Sequence, residues 1–338
     1  MDNQQRCLRL GAIVIAIAVV LRLLQGSLLT PLWQALTRPE TVAVLMYLET
    51  GRVVRSYDVL DYPAESPIPE ATEAAPPLPE MTPSFTADDL NAVEIDYECD
   101  YDPDLAALLT APLHWDLTDG APQVLIIHTH TTESYTPSPG ENYVESADYR
   151  TLDEHYNMLS IGDAVAKKLT AAGIGVIHDR QLHDYPSYNG SYSNARHAIE
   201  AILAENPTVS MILDLHRDAA AVDSGQMDTA AQVDGAESAQ LMFVVGTDAG
   251  GLEHPSWQEN LSLALKLQVQ LENTHPGLCR PIDLCSERFN GDMSPGALLI
   301  EVGAAGNTHQ EALTAANALA EGIIALARGA NLTEDSTN

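Results

Sequence analysis

From about residue 120 onward, short apolar runs alternate with longer stretches in which apolar residues recur every three or four positions. The runs Gln123–His128, Ile174–His178, Val209–Leu215, Gln240–Val245 and Leu298–Val302 read as strands. Between the first two, Tyr156–Ala172 carries Met158, Leu159, Ile161, Val165 and Leu169 at helical spacing and stops at Gly173. Ser193–Glu205, Trp257–Glu272 and Gln310–Ala327 read as three further helices. Strands alternating with helices of this length predict an α/β domain over 120–330, built on a mostly parallel sheet with helices on both faces. A short tail, 331–338, follows it.

The N-terminal part has other patterns. Arg6 and Arg9 precede an apolar stretch over 10–29 that contains Arg22. About 20 apolar residues suffice for a helix to cross a bilayer. The expectation is therefore an uncleaved N-terminal transmembrane helix, since the small-residue cleavage pattern of a signal peptide is poor here. Residues 1–9 would lie in the cytoplasm and the rest of this single-pass chain outside it. Residues 30–62, β-branched and apolar over Thr41–Leu60, form a membrane-proximal segment. Prolines and acidic residues then dominate, as in Pro76-Pro77-Leu78-Pro79-Glu80, and predict a disordered acidic, Pro-rich tether across 63–119.

With 48 acidic against 16 basic residues the net charge is −32. That balance excludes nucleic acid as a partner, because phosphate contacts need Lys and Arg. Four cysteines are too few for a disulfide scaffold. Cys279 and Cys285 are spaced to bridge a loop in an oxidising compartment, or else remain free thiols.

Chemistry concentrates at strand ends. The first strand runs into His128, His130 and Glu133, the third into His216-Arg217-Asp218, and the fifth into Glu301. In a parallel sheet such ends share one edge, so these groups can converge. Two histidines and a carboxylate make a zinc site with a position left for water, and a further Glu can take a proton. One histidine at a strand end is more often a solvated terminus than a ligand. Three equivalent strand ends make coincidence the poorer account.

These residues also carry a resemblance. Val124-Leu125-Ile126-Ile127-His128-Thr129-His130-Thr131-Thr132-Glu133-Ser134-Tyr135 resembles the signature of the stage II sporulation protein P family. Further matches follow in order: His183-Asp184-Tyr185-Pro186, Asp214-Leu215-His216-Arg217-Asp218, His254-Pro255-Ser256-Trp257, and Ser294-Pro295-Gly296 through Glu301-Val302-Gly303 to Asn307-Thr308. The resemblance implies a membrane-anchored, zinc-dependent peptidoglycan hydrolase with a fold like the N-acetylmuramoyl-L-alanine amidases. It would cleave the muramoyl–L-alanine amide and also stem-peptide cross-links, in septal thinning and engulfment. A lytic transglycosylase (stage II sporulation protein D) and a polytopic membrane protein (stage II sporulation protein M) are the implied partners, at the sporulation septum or engulfing membrane. By the same resemblance His130, Glu133 and His216 would bind zinc, with Glu154 and His128 as alternates, and Glu301 would be the general base. Arg217 would stabilise the oxyanion or hold a substrate carboxylate, or form a salt bridge. Tyr188 and Tyr192 would line the substrate groove. The competing expectation is an inactive amidase-like module that binds cell wall or positions partners.

Overall fold

In the computed structural model, which describes residues 85–329 apart from 114–116, 118–120, 139, 220, 223 and 224, seven strands form one sheet. In chain order they are β1 (Ile95–Tyr97), β2 (Pro122–Ile127), β3 (Gly175–His178), β4 (Met211–Asp218), β5 (Leu241–Gly246), β6 (Ile282–Cys285) and β7 (Gly296–Ala304). Their spatial order is β1-β6-β5-β7-β4-β2-β3. All neighbours run parallel except β5 and β7, which are antiparallel. That one seam divides the sheet, and β7, β4, β2 and β3 point the same way. The expected convergence of strand ends is therefore met by β2, β4 and β7.

Among the described residues five α-helices accompany the sheet: α1 (Leu105–Thr110), α2 (Met158–Ala171), α3 (Ser191–Glu205), α4 (Trp257–Thr274) and α5 (His309–Ala327). Alternation along β2 sends Val124 and Ile126 to one face, where they join a large core with α2, α4 and α5. Leu125 and Ile127 go to the other face and pack with Ala195, Ala198 and Ile199 of α3. Both faces are thus covered, which is why β2 reads as an unbroken apolar run. Side chains start two of the helices. Asn157 accepts a hydrogen bond from Leu159 N–H at α2, and Thr308 and Glu311 form a reciprocal capping box at α5.

Three expectations are corrected. First, the linker reading of 63–119 does not hold from residue 85 onward. Phe85 and Leu109 are buried in the main core, β1 pairs with β6, and α1 packs on α4. The buried Lys266 donates to the Leu108 carbonyl at 2.8 Å, and Trp257 stacks on Tyr101 at 5.0 Å. Few but well-spaced apolar residues outweigh the acidic composition of this stretch. Second, among the described residues no helix is long and apolar enough to cross a membrane. The span expected over 10–29 lies outside the described residues, so the transmembrane anchor, the membrane as partner and the single-pass location have no structural support. Third, nothing among the described residues identifies a transglycosylase or a polytopic membrane protein as partner. Cys279 and Cys285 are free thiols.

Candidate metal centre

β2 ends at Ile127 and the chain turns through Thr129–Thr132 before pairing again at Glu133 and Ser134. The turn interrupts the two-residue alternation, so His128 and His130 part company. His128 lies against α2, where its Nδ1 is 3.0 Å from the Leu215 carbonyl and its Nε2 is 2.9 Å from His178 Nε2. A carbonyl only accepts, so Nδ1 carries the proton and Nε2 accepts from His178. Burial, followed by the neighbouring His178, pushes His128 down to about 3. Both of its ring nitrogens are committed.

His130, Glu133 and His216 come together instead. One donor atom from each lies within 4.8 Å of the others, and all three residues are buried. Glu133 Oε2 is 3.7 Å from His216 Nδ1, and the two imidazoles meet edge to face at 5.2 Å. His130 Nδ1 is buried without a hydrogen-bond partner. An orphaned buried nitrogen beside a second imidazole and a carboxylate fits a metal ion, since unpaired buried polar atoms are otherwise costly. The trio could hold one.

Alternation along β4 puts Ile212, Asp214 and His216 on the α3 face. His216 Nε2 lies 3.0 Å from Asp214 Oδ1, in ion-pair rather than hydrogen-bond alignment, which leaves Nδ1 toward Glu133. Asp214 is itself fixed by Thr129, through N–H at 2.8 Å and the hydroxyl at 2.6 Å. Burial opposes charge on His216, but Asp214 outweighs it and, with no ion present, holds the imidazole up at about 9. A carboxylate behind a ligating imidazole is the usual way to fix its tautomer. His130 has no such support: burial, then His216 and Arg150, push it down to about 3.

Glu301 on β7 is the Cα partner of His216 on β4. Its Oε2 is buried without a partner. Burial raises its carboxyl to about 8, with His216 opposing and Glu133 adding to the rise.

The remaining expected residues divide. Tyr188 stacks on His130 with centroids 4.6 Å apart, and Tyr192 meets His130 edge-on at 5.5 Å and lies parallel to His216 at 6.4 Å. Both line the trio. Arg217 turns to protein: its N–H lies 3.3 Å from Glu133 Oε2, and its guanidinium donates to the carbonyls of Ser134 at 3.0 Å and Tyr149 at 2.7 Å. Glu154 is away from the trio, paired with Arg180 at 2.8 Å. Two neighbours of the trio were given no role from sequence. Asp214 had a signal, since it stands two residues before His216 on a strand. Arg150, 3.1 Å from Glu133, had none.

A family model described as Stage II sporulation protein P (SpoIIP) matches residues 64–324. The stage II sporulation protein P of Bacillus subtilis (strain 168) is 31% identical over 210 residues, covering 59% of this chain. The match takes in 49% of that protein, so the chain spans about half the length of the curated relative. Among solved structures, the N-acetylmuramyl-L-alanine amidase Ami1 from Mycobacterium smegmatis is similar with a TM-score of 0.39 and 13% identity, over 63% of this chain and 98% of that one. The CwlD amidase from Clostridioides difficile, solved with the GerS lipoprotein, gives 0.36 and 15% over 60% and 96%. Scores at this level carry no argument about activity.

Proposed function

Because the chain belongs to the stage II sporulation protein P family, we propose that it hydrolyses amide bonds of peptidoglycan at a zinc ion held by His130, Glu133 and His216. The observation that carries this reading is the buried His/Glu/His trio, with the unpartnered oxygen of Glu301 on the adjoining strand. The bond we assign is the muramoyl–L-alanine amide, with stem-peptide cross-links as a second class.

A zinc ion held by these three side chains would supply a water with its pKa lowered toward about 7 and a Lewis acid for the scissile carbonyl. The other work falls to side chains. His130 and His216 offer Nδ1, and Asp214 keeps the proton of His216 on the far nitrogen. Glu301 as carboxylate takes a proton from the attacking water and, as acid, returns it to the amine as the C–N bond breaks. Burial raises the Glu301 carboxyl, and a cation held beside it would draw it back toward the ionised form that a base needs. Tyr188 and Tyr192 form an aromatic wall for the substrate. Arg217 positions Glu133 and its loop, with its backbone N–H on Glu133 and its Nε and Nη2 on the Ser134 and Tyr149 carbonyls.

Glu301→Gln keeps every ligand and removes the base. Turnover of purified sacculi should fall about 10²–10⁴-fold while zinc stays bound. Wild-type rates from this variant would remove Glu301 from the mechanism. Mass spectrometry of the digest identifies the bond: a free L-alanine amine beside an intact lactyl group marks amidase action, and new amines at cross-links mark endopeptidase action. Zinc bound with neither product would favour the wall-binding module.

A further inference from the structure

Glu133 has a difficulty its histidine partners lack. To serve as a ligand it must stay ionised and in one rotamer, yet it is only 3% exposed. A buried carboxylate needs a paired cation and hydrogen bonds. Arg150 supplies the nearest cation. Its Nη2 lies 3.1 Å from Glu133 Oε1, the oxygen turned away from His216.

The same guanidinium reaches further. Its other arm pairs with Asp184, which also accepts from the N–H and hydroxyl of Thr132. Its Cζ lies 4.9 Å from the centroid of Tyr188, the ring stacked on His130. One side chain therefore touches a ligand carboxylate, the anchor of the 184–190 loop and the aromatic cover of a ligand imidazole.

The backbone fixes this arrangement. Arg150 pairs directly with Glu133 across an antiparallel bridge, flanked by Thr151 N–H to Thr132 O at 2.8 Å and Ser134 N–H to Tyr149 O at 3.0 Å. Tyr149 stands at φ +49°, a left-handed conformation that bulky residues seldom adopt. Its carbonyl takes both the Ser134 N–H and Arg217 Nη2. Strain of this kind persists only where surrounding contacts enforce it.

We propose that Arg150 is a positioning residue of the metal centre. It holds Glu133 in the ligating rotamer and, through Asp184 and Tyr188, ties the 184–190 loop to the same centre. This rests on His130, Glu133 and His216 being a metal site. A guanidinium suits the position because its two arms meet two acidic partners at once.

The test titrates the metal-free full-length chain with Zn²⁺ against a competing chromophoric chelator, and with Co²⁺ to read the visible spectrum of the bound ion. Thermal unfolding of each metal-free variant separates a lost site from a lost fold. Arg150→Met should weaken zinc binding about 10–100-fold and change the cobalt spectrum. Arg150→Lys, which can meet one acidic partner but not both, should fall between. A folded Arg150→Met with wild-type zinc affinity and cobalt spectrum overturns the proposal and leaves the metal reading standing. A wild-type chain that binds neither ion overturns both. Should Arg150→Met fail to fold, Arg150→Lys decides: wild-type affinity and spectrum overturn the proposal, and weakened affinity supports it.

Discussion

His216 carries a proton that a metal ion at the proposed site would have to displace, and Glu301 one that the ion would repel. In the ion-free chain His216 sits at about 9 and Glu301 at about 8, so both are largely protonated at pH 7. His130, at about 3, is already neutral. Binding needs a bare lone pair on His216 and favours ionised Glu301. The sign follows: affinity rises with pH and levels off above about 9. From these two side chains each ion should release up to two protons below about pH 8, one between 8 and 9, and none above, while a bound water with its pKa lowered toward about 7 adds one at higher pH. Calorimetry in buffers of different ionisation enthalpy counts them, and a count unchanged from pH 7 to 10 would contradict the assignment. Much at this scale was legible in advance. His130, Glu133, His216 and Glu301 stand where strand ends bring them, and strand ends can be read from an apolar run. The choice of His130 over His128 came from the family resemblance and not from spacing, because it depends on a turn that ends the alternation. Arg150 was invisible, since its role depends on a short hairpin with no apolar pattern.

Between elements, the approach of α2 to the sheet is set by Gly162. A Cβ there would stand 2.4 Å from His178 Nε2 and 2.5 Å from His128 Nε2. His128 cannot move aside without losing both ring hydrogen bonds. Gly162→Ala therefore sets a helix-propensity gain of about 1 kcal/mol against overpacking. A net loss of about 1–3 kcal/mol is expected from denaturant unfolding. An equal or more stable variant would mean that the rings yield. The helices were readable because each holds its apolar stripe for several turns, as Met158, Leu159, Ile161, Val165 and Leu169 do in α2. β1 and β6 were not. Ile95-Asp96-Tyr97 and Ile282-Asp283-Leu284-Cys285 are too short to show a period, and their acidic residues belong to a loop by composition. The antiparallel seam between β5 and β7 was equally hidden, because an apolar run does not reveal its direction.

At the scale of the molecule, the domain begins earlier than composition suggests. A chain cut at residue 120 loses β1, α1 and the buried side chains of Phe85 and Leu109, each worth about 1.5–3 kcal/mol of burial. It also strips Lys266 of the Leu108 carbonyl, leaving it Ser262. Such a chain should melt well below one that begins at residue 75, and equal melting temperatures would show that the N-terminal elements contribute nothing. The seam in the sheet bears on how the protein is made. β7 is the last of the seven strands, yet it lies between β5 and β4 at the sheet's centre, and Tyr135 Oη donates to the Val302 carbonyl across 167 positions. Contacts this distant in sequence close late, because loop entropy must be met first. Glu301 therefore joins His216 only after the strands before β7 have emerged. For the proposed hydrolysis this order has a consequence: the nascent chain holds His130, Glu133 and His216 before the strand that carries Glu301 is in place.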